Sequence, residues 1–387
     1  MTDHGVSQLS ILRRDKWLLS SLTWLPIMLA VMIWAVFSQG IARDLPIGVV
    51  NLDTGKMSQQ LIRYYDATSA MKVDQHFSSA LDAKQALVKG DIYAYAVIPH
   101  NFEQDTYKQL APQVSVFYNS QMILVGKLIN SAFLQAQGTF NAQVSTVGNL
   151  SRGNATLASA MGKAVPIRTQ ITPLFNKNSN YAQFLVSAVI PALWQIVVVV
   201  TTILVLSANL RDRGLQHWLG ESPAKALFNT LAPYSWVFAL QGFAFLCWFY
   251  LGFKWPMNGS FLVLVLAQWS TIFACMIMGS LFFFLTLDAA RAMSFAGAFT
   301  APSFAFMGIT FPVTDMNSLA QAWRSLLPIS HYIEVQVSQV SYGQPWTESL
   351  LHLLPMLGYG LPALLTFALV KKHLGALQLN TNEGGVS

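Results

Sequence analysis

The chain has 387 residues, 53% of them hydrophobic and only 10% charged, with a formal net charge of +6 and a mean hydropathy of +0.44. A water-soluble domain carries about 25% charged residues because its surface must be solvated, and a larger core does not remove that need. The composition therefore excludes an ordinary soluble protein, and the basic residues, grouped beside apolar runs, read as membrane topology instead of a nucleic-acid patch.

At the N-terminus, Val6–Trp17 places Leu9, Leu12 and Trp17 near one helical face, with Arg13, Arg14 and Lys16 elsewhere. That pattern predicts a surface-lying amphipathic segment over 1–16. Trp17 to Phe37 is an apolar run of 21 residues, enough to cross a hydrocarbon core of about 30 Å, and gives a first span at 17–38. It exceeds the apolar stretch of a signal peptide, about 7–15 residues, and no small-x-small cleavage site follows it.

Residues 39–182 read as a mixed α/β domain. Strand-like runs are Leu45–Leu52, Met71–Phe77, Tyr93–Ile98 and Gln113–Tyr118, bounded by Gly, Pro, Asn or Asp. Ser78 is placed to cap a helix that ends near Gly90, Asn101 to cap a short one, and Gln121 to about Val147 forms a longer one. Ser151–Gly153 ends that helix, and a strand at Pro166–Phe175 brings the chain back.

Five more apolar segments follow, predicted as spans at 183–208, 227–253, 261–287, 292–313 and 350–370, with no Asp, Glu, Lys or Arg well inside any of them. Basic residues precede the first span and lie in 209–226 (Arg211, Arg213, Lys225), at Arg291, and after the sixth span in the tail 371–387 (Lys371, Lys372). Such alternation places both termini in the cytoplasm. The predicted fold class is thus membrane α-helical: six transmembrane helices plus an extracytoplasmic mixed α/β domain inserted between the first and second.

Chemistry is sparse. There is no Walker motif, GxSxG or HExxH, and Cys247 and Cys275 sit in apolar stretches without CxxC spacing. His76 and His100 and the Asp residues between 53 and 91 fit a solvated face better than a metal or acid/base site. No catalytic or metal-binding residue is predicted, and the chain is not expected to be an enzyme. Spans without carboxylates also disfavour ion coupling within this chain.

Several stretches look familiar in order and spacing: Leu45-Pro-Ile-Gly-Val-Val-Asn-Leu-Asp53; Lys89-Gly-Asp-Ile-Tyr-Ala-Tyr-Ala-Val-Ile-Pro99 followed by Asn101-Phe102; Phe175-Asn176 leading to Tyr181, Phe184 and Pro191; and Phe311-Pro312, Leu327-Pro328, His331-Tyr332 and Gly343. In these, and in its layout of one span, a large domain and five spans, the chain resembles the ABC-2 family of exporter permeases, in particular the drug-efflux-like subgroup with a large insert. In that family the loop between spans two and three touches the ATPase. Here Gly214, Ser222 and Pro223 match the family pattern, whereas Arg213-Gly-Leu215 replaces its acidic-Gly-Thr. The resemblance implies ATPase coupling through Arg13, Arg14, Arg211, Arg213, Gly214, Glu221 and Pro223; an ordinary positive-inside anchor is the alternative.

Between spans five and six (314–349), Leu319, Trp323, Leu326 and Leu327 repeat at helical spacing up to Pro328. Either a re-entrant pair of short helices closes the outer mouth or an interfacial helix rests on the leaflet. The candidate outer-gate residues are Phe311, Pro312, Trp323, Pro328, His331, Tyr332 and Glu334. Gly297, Ala298, Ala301 and Gly308 suit close packing or a lined path in the fifth span, which also holds Pro302.

The function expected is that of the permease subunit of an ATP-driven ABC exporter in a bacterial inner membrane, moving a lipophilic or drug-like cargo. It would pair with a second copy or a paralogous permease and with a cytoplasmic ABC ATPase subunit that binds ATP and Mg²⁺. A periplasmic membrane-fusion adaptor is a further expected partner; no cofactor and no nucleic acid are expected on this chain. The alternatives are a sensor or envelope-assembly protein with an external ligand-binding domain, and an ion-coupled carrier. Four spans beyond the first two weigh against the sensor.

Overall fold

The computed structural model describes residues 8–40, 42–151, 156–164, 174–176, 180–220 and 222–383. The chain folds as two compact units, one of Met1–Gly40 with Pro173–Ser387 and the other of Ile41–Thr172.

The first unit begins with α1 (Gln8–Arg14), α2 (Lys16–Leu22) and α3 (Trp24–Val36). Asp15 separates the first two because its carboxylate accepts from the amides of Trp17 and Leu18, both at 3.1 Å, as an N-cap. The expected single run over 17–38 is instead a bent pair, α2 and α3 meeting at 47°. Pro26 explains the bend: it has no amide to offer the Leu22 carbonyl four residues back, and its ring crowds that oxygen. Gln241 fills the vacancy, its Nε2 donating to Leu22 O at 2.7 Å.

The second unit is a four-stranded sheet of β1 (Leu45–Asn51), β2 (Met71–Phe77), β3 (Ala94–Ile98) and β4 (Ser115–Tyr118) in the order β2-β1-β3-β4. β1 runs parallel to β2 and β3, and β4 is antiparallel to β3. The helices are α4 (Lys56–Asp66), α5 (Ala80–Lys89), α6 (Phe102–Tyr107), α7 (Ile123–Ser151) and α8 (Leu157–Ala164). Leu61 and Tyr65 of α4, Phe102 of α6 and Phe133 and Phe140 of α7 pack over Ile47 and Val49, while Ala83 and Ala86 of α5 pack with Val50 and Tyr95. With both faces covered, β1 needs a continuous apolar run instead of alternation. Ser79, not Ser78, caps α5, accepting from the Asp82 amide at 3.2 Å, and Gly90 ends it at φ +86°. Asn101 stands at the N-terminus of α6 without a side-chain cap bond. Of the strand expected at Pro166–Phe175, residues 166–173 lie outside the described residues, and Leu174 and Phe175 are not in a strand.

The chain returns to the first unit through a π-type turn at Ala182–Val186 into α9 (Ser187–Arg213), followed by α10 (Leu215–Leu219), α11 (Pro223–Cys247) and α12 (Phe261–Thr286). α9 lies at the centre and α12 packs on it so closely that a Cβ at Gly279 would meet the Val199 carbonyl at 2.8 Å. Arg211 and Arg213, expected in a loop, belong to the last turn of α9, where cations suit the helix dipole. The segment expected as a fifth span, 292–313, is broken into α13 (Ala289–Thr300) and α14 (Ser303–Phe306). Pro302 and the turn at Gly308, φ +85°, account for its division. Next come α15 (Ser318–Ser325), α16 (Pro328–Val337), α17 (Trp346–Leu351) and α18 (Gly360–Glu383), so Lys371 and Lys372 sit in a helix and not in a tail.

Among the described residues four helical stretches are long and apolar enough to cross a membrane: Ala182–Arg213, Pro223–Gly252, Phe261–Thr286 and Trp346–Gln378. The bent pair α2–α3 would make five.

Candidate functional site

Two of the polar constellations among the described residues of the first unit contain residues that the sequence singled out. One gathers where α1 meets the end of α9. Asn209, fully buried, and Gln8 exchange hydrogen bonds, Gln8 Nε2 donating to Asn209 Oδ1 at 2.9 Å and Asn209 Nδ2 to Gln8 Oε1 at 3.3 Å. Tyr234 of α11 donates to the same Gln8 oxygen at 3.3 Å. Two residues further along α9, Arg211 pairs with Asp15 at 2.9 Å. Thus α1, α9 and α11 are tied by side chains that a packed helix end must satisfy, since buried amides left alone are costly.

Gly214, at φ +71°, ends α9 and turns the chain into α10, whose Leu215, Trp218 and Leu219 are buried. Trp218 Nε1 donates to Thr230 of α11 at 2.9 Å and its ring stacks on Phe284 of α12. Pro223 begins α11 at a position that tolerates a missing amide. Arg13 and Arg14 are exposed on α1. Arg211, Arg213, Gly214 and Pro223 therefore share one end of the bundle with α1, whereas Glu221 lies outside the described residues. Sequence reasoning missed Gln8, Asp15, Asn209 and Tyr234; the available signal was an amide and an acid beside apolar runs.

The other constellation surrounds α16. Pro328, His331 and Tyr332 are buried, and α16 packs against α9 and α12 within the bundle. Gln195 of α9 bridges to it: its Oε1 accepts from the Ile329 amide at 2.9 Å and its Nε2 donates to Ser303 of α14 at 3.1 Å. Gln336 Nε2 donates to the Ser187 carbonyl at 2.9 Å. Glu334 receives Arg324 at 2.7 Å on one oxygen; on the other side His352 Nδ1 stands at 3.6 Å and His331 Nδ1 at 3.8 Å, beyond a hydrogen bond. Arg324, itself buried, thus has its counter-charge in Glu334. A cavity of about 250 Å³ opens beside this cluster, lined by Arg324, Glu334 and His352 with Met307, Ile309 and Ile333.

Of the expected gate residues, the structure brings His331, Tyr332 and Glu334 onto one buried helix that begins at Pro328. Phe311 and Pro312 are exposed in the turn after α14, and Trp323, partly exposed, packs its ring on Phe299 of α13. Arg324, the partner of Glu334, was missed although it lies within the expected segment.

Both constellations are built of cross-links between helices. The sequence model of the family described as ABC-2 family transporter protein matches residues 16–369, nearly the whole chain. Neither the curated proteins nor the solved structures yield a match.

Proposed function

The chain belongs to the ABC-2 family of transporter proteins, and from that premise we propose that it exports a lipophilic or drug-like cargo from a bacterial cytoplasm as half of a dimeric pathway. It is a multi-pass membrane permease component, and the family implies an ABC ATPase subunit as its partner. In this reading both termini face the cytoplasm and the α/β unit projects from the opposite side, where it guides cargo or docks a membrane-fusion adaptor. ATP and Mg²⁺ stay on the partner.

The observation that carries the reading is the family match over residues 16–369 of a chain with no Walker motif. Work must then arrive from outside the chain, and the end of the bundle where α1, α9, α10 and α11 are cross-linked is the natural receiving surface. A push on α10 would pass through Trp218 to Thr230 and through the Gln8–Asn209 pair to α1.

Six crossings remain the topology we favour, with the fifth broken. Trp269, Phe273, Met276 and Ser280 of α12 line one cavity with Ala363 and Phe367 of α18, and further along both helices His373 donates to the Phe284 carbonyl at 2.9 Å, so the two run the same way. The chain between them must travel back across the bundle, which supports α13 and α14 as a discontinuous crossing and α15–α16 as a segment folded back into it. Discontinuous backbone at membrane depth is tolerated where protein surrounds it, as it does α16.

The test is reconstitution of the full chain in liposomes with and without its co-expressed ATPase, following ATP-dependent movement of a lipophilic dye. Transport only with the ATPase present, reduced by Gln8→Ala, is the expected result. ATP hydrolysis by the chain alone, or dye movement with no ATPase, would overturn the division of labour.

A further inference from the structure

Between α11, α12 and α18 lies an apolar cavity of about 370 Å³, away from both constellations and within the 300–1,000 Å³ typical of ligand sites. Phe228, Trp236, Trp269, Phe273, Met276 and Phe367 form much of its wall, with Trp236 and Trp269 packed edge to face at 4.9 Å. Its three hydroxyls are already committed to their own helices. Ser235 donates to Ala232 O at 2.7 Å, Ser280 to Met276 O at 2.7 Å and Thr366 to Pro362 O at 2.8 Å. With its hydroxyls engaged and only the Trp236 and Trp269 indoles polar besides, the cavity suits hydrocarbon.

Charge at one end says what the hydrocarbon is attached to. Lys225 lies between the lining residues Ala224 and Leu227 at the end of the wall on α11, and Lys371 follows Phe367, the last lining residue of α18, by one turn. Both lie at the same end of the bundle, where α10 touches α18 and His373 reaches Phe284. Both are exposed, and neither takes part in a salt bridge among the described residues.

We propose that this cavity is a binding site for an anionic phospholipid, one acyl chain filling the space between α11, α12 and α18 and the phosphate held by Lys225 and Lys371. The proposal needs only that these helices are embedded in a membrane, and stands apart from the direction of transport.

The test is native mass spectrometry of the full-length chain, titrated with phosphatidylglycerol or phosphatidylcholine of identical chains. The wild type should bind phosphatidylglycerol about thirtyfold more tightly, the effect of two lysines near an anionic headgroup. The exposed pair Lys225→Gln/Lys371→Gln should erase that preference, and Ala232→Trp should weaken both lipids. Ser235→Leu, a smaller filling change, should do the same in part if the larger one fails to fold. Equal affinity of the wild type for both lipids would overturn the site. So would a lysine effect that persists with the cavity filled, since the headgroup would then bind alone. A lipid-free dimer that Ala232→Trp dissociates would assign the face to a second copy and equally overturn it.

Discussion

The carbonyl of Leu22, deprived of its helical partner by Pro26, accepts a hydrogen bond from Gln241 Nε2 at 2.7 Å. The bend of 47° between α2 and α3 is thus held from outside by a residue of α11. In hydrocarbon an unpaired carbonyl has no water to turn to, so Gln241→Leu should destabilise the protein by about 1–3 kcal/mol. Pro26→Ala restores an amide for that carbonyl, and in its presence Gln241→Leu should cost much less. A double-mutant cycle on thermal unfolding in detergent reads the coupling; additive effects would mean that Gln241 does not act through the bend.

Asp15 has two tasks, capping α2 and pairing with Arg211, and they are separable. The cap joins two backbone amides at 3.1 Å, whereas the ion pair has a guanidinium side chain that is 62% exposed. Loss of a cap costs about 1 kcal/mol and an exposed ion pair a few tenths. Asp15→Ala should therefore lower the melting temperature clearly, Asp15→Asn only slightly and Arg211→Ala scarcely at all. Equal losses for Asp15→Ala and Arg211→Ala would give the main role to the ion pair.

How far the sequence could be read depends on how local each signal is. β2 occupies Met71–Phe77 as its pattern predicts, and α12 stops one residue before the end of its apolar run, because periodicity and hydropathy act on neighbours. The extension of α9 to Arg213 was hidden, since charged residues that end an apolar run can still end a helix favourably. The break at Pro302 was open to inspection but outweighed by the hydropathy around it. At the site, His331, Tyr332 and Glu334 were legible as a polar patch near a Pro. Their neighbours were not: Gln195 meets Ile329 across 134 positions and Gln8 meets Asn209 across 201, distances at which no pattern in one sequence points from one to the other. The uncharged amides inside apolar runs, Gln195 and Gln268 among them, were the overlooked signal, because a buried amide must find a partner.

Glu334 gives a prediction in charge pairing. Its carboxylate stands 2.7 Å from the guanidinium of the buried Arg324, and the two charges depend on each other. Glu334→Gln leaves the buried Arg324 without its counter-charge and should cost about 3 kcal/mol at pH 7. Thermal unfolding in detergent should show that loss, and Arg324→Met combined with Glu334→Gln should recover part of it. Equal stability of Glu334→Gln and the wild type would mean that the pair does not hold α16 in place.

Gln195 joins three helices with one amide, and each half can be removed separately. Its Oε1 takes the Ile329 amide at the start of α16, one of the donors a helix leaves unpaired, and its Nε2 reaches Ser303 in the broken fifth segment. Ser303→Ala removes only the second bond and should cost about 1 kcal/mol. Gln195→Leu removes both and leaves a buried amide and a buried hydroxyl without partners, so about 2–4 kcal/mol is expected. Gln195→Glu keeps the acceptor for Ile329 but puts a carboxyl where nothing neutralises it, so it should be worse than Ser303→Ala at pH 7 and improve as the carboxyl protonates in acid. If these bonds hold α16 in place during transport, dye movement by the complex with its ATPase should fall in the same order as stability. Equal transport by Ser303→Ala and Gln195→Leu, with stability clearly different, would leave Gln195 a packing residue with no part in the transport cycle.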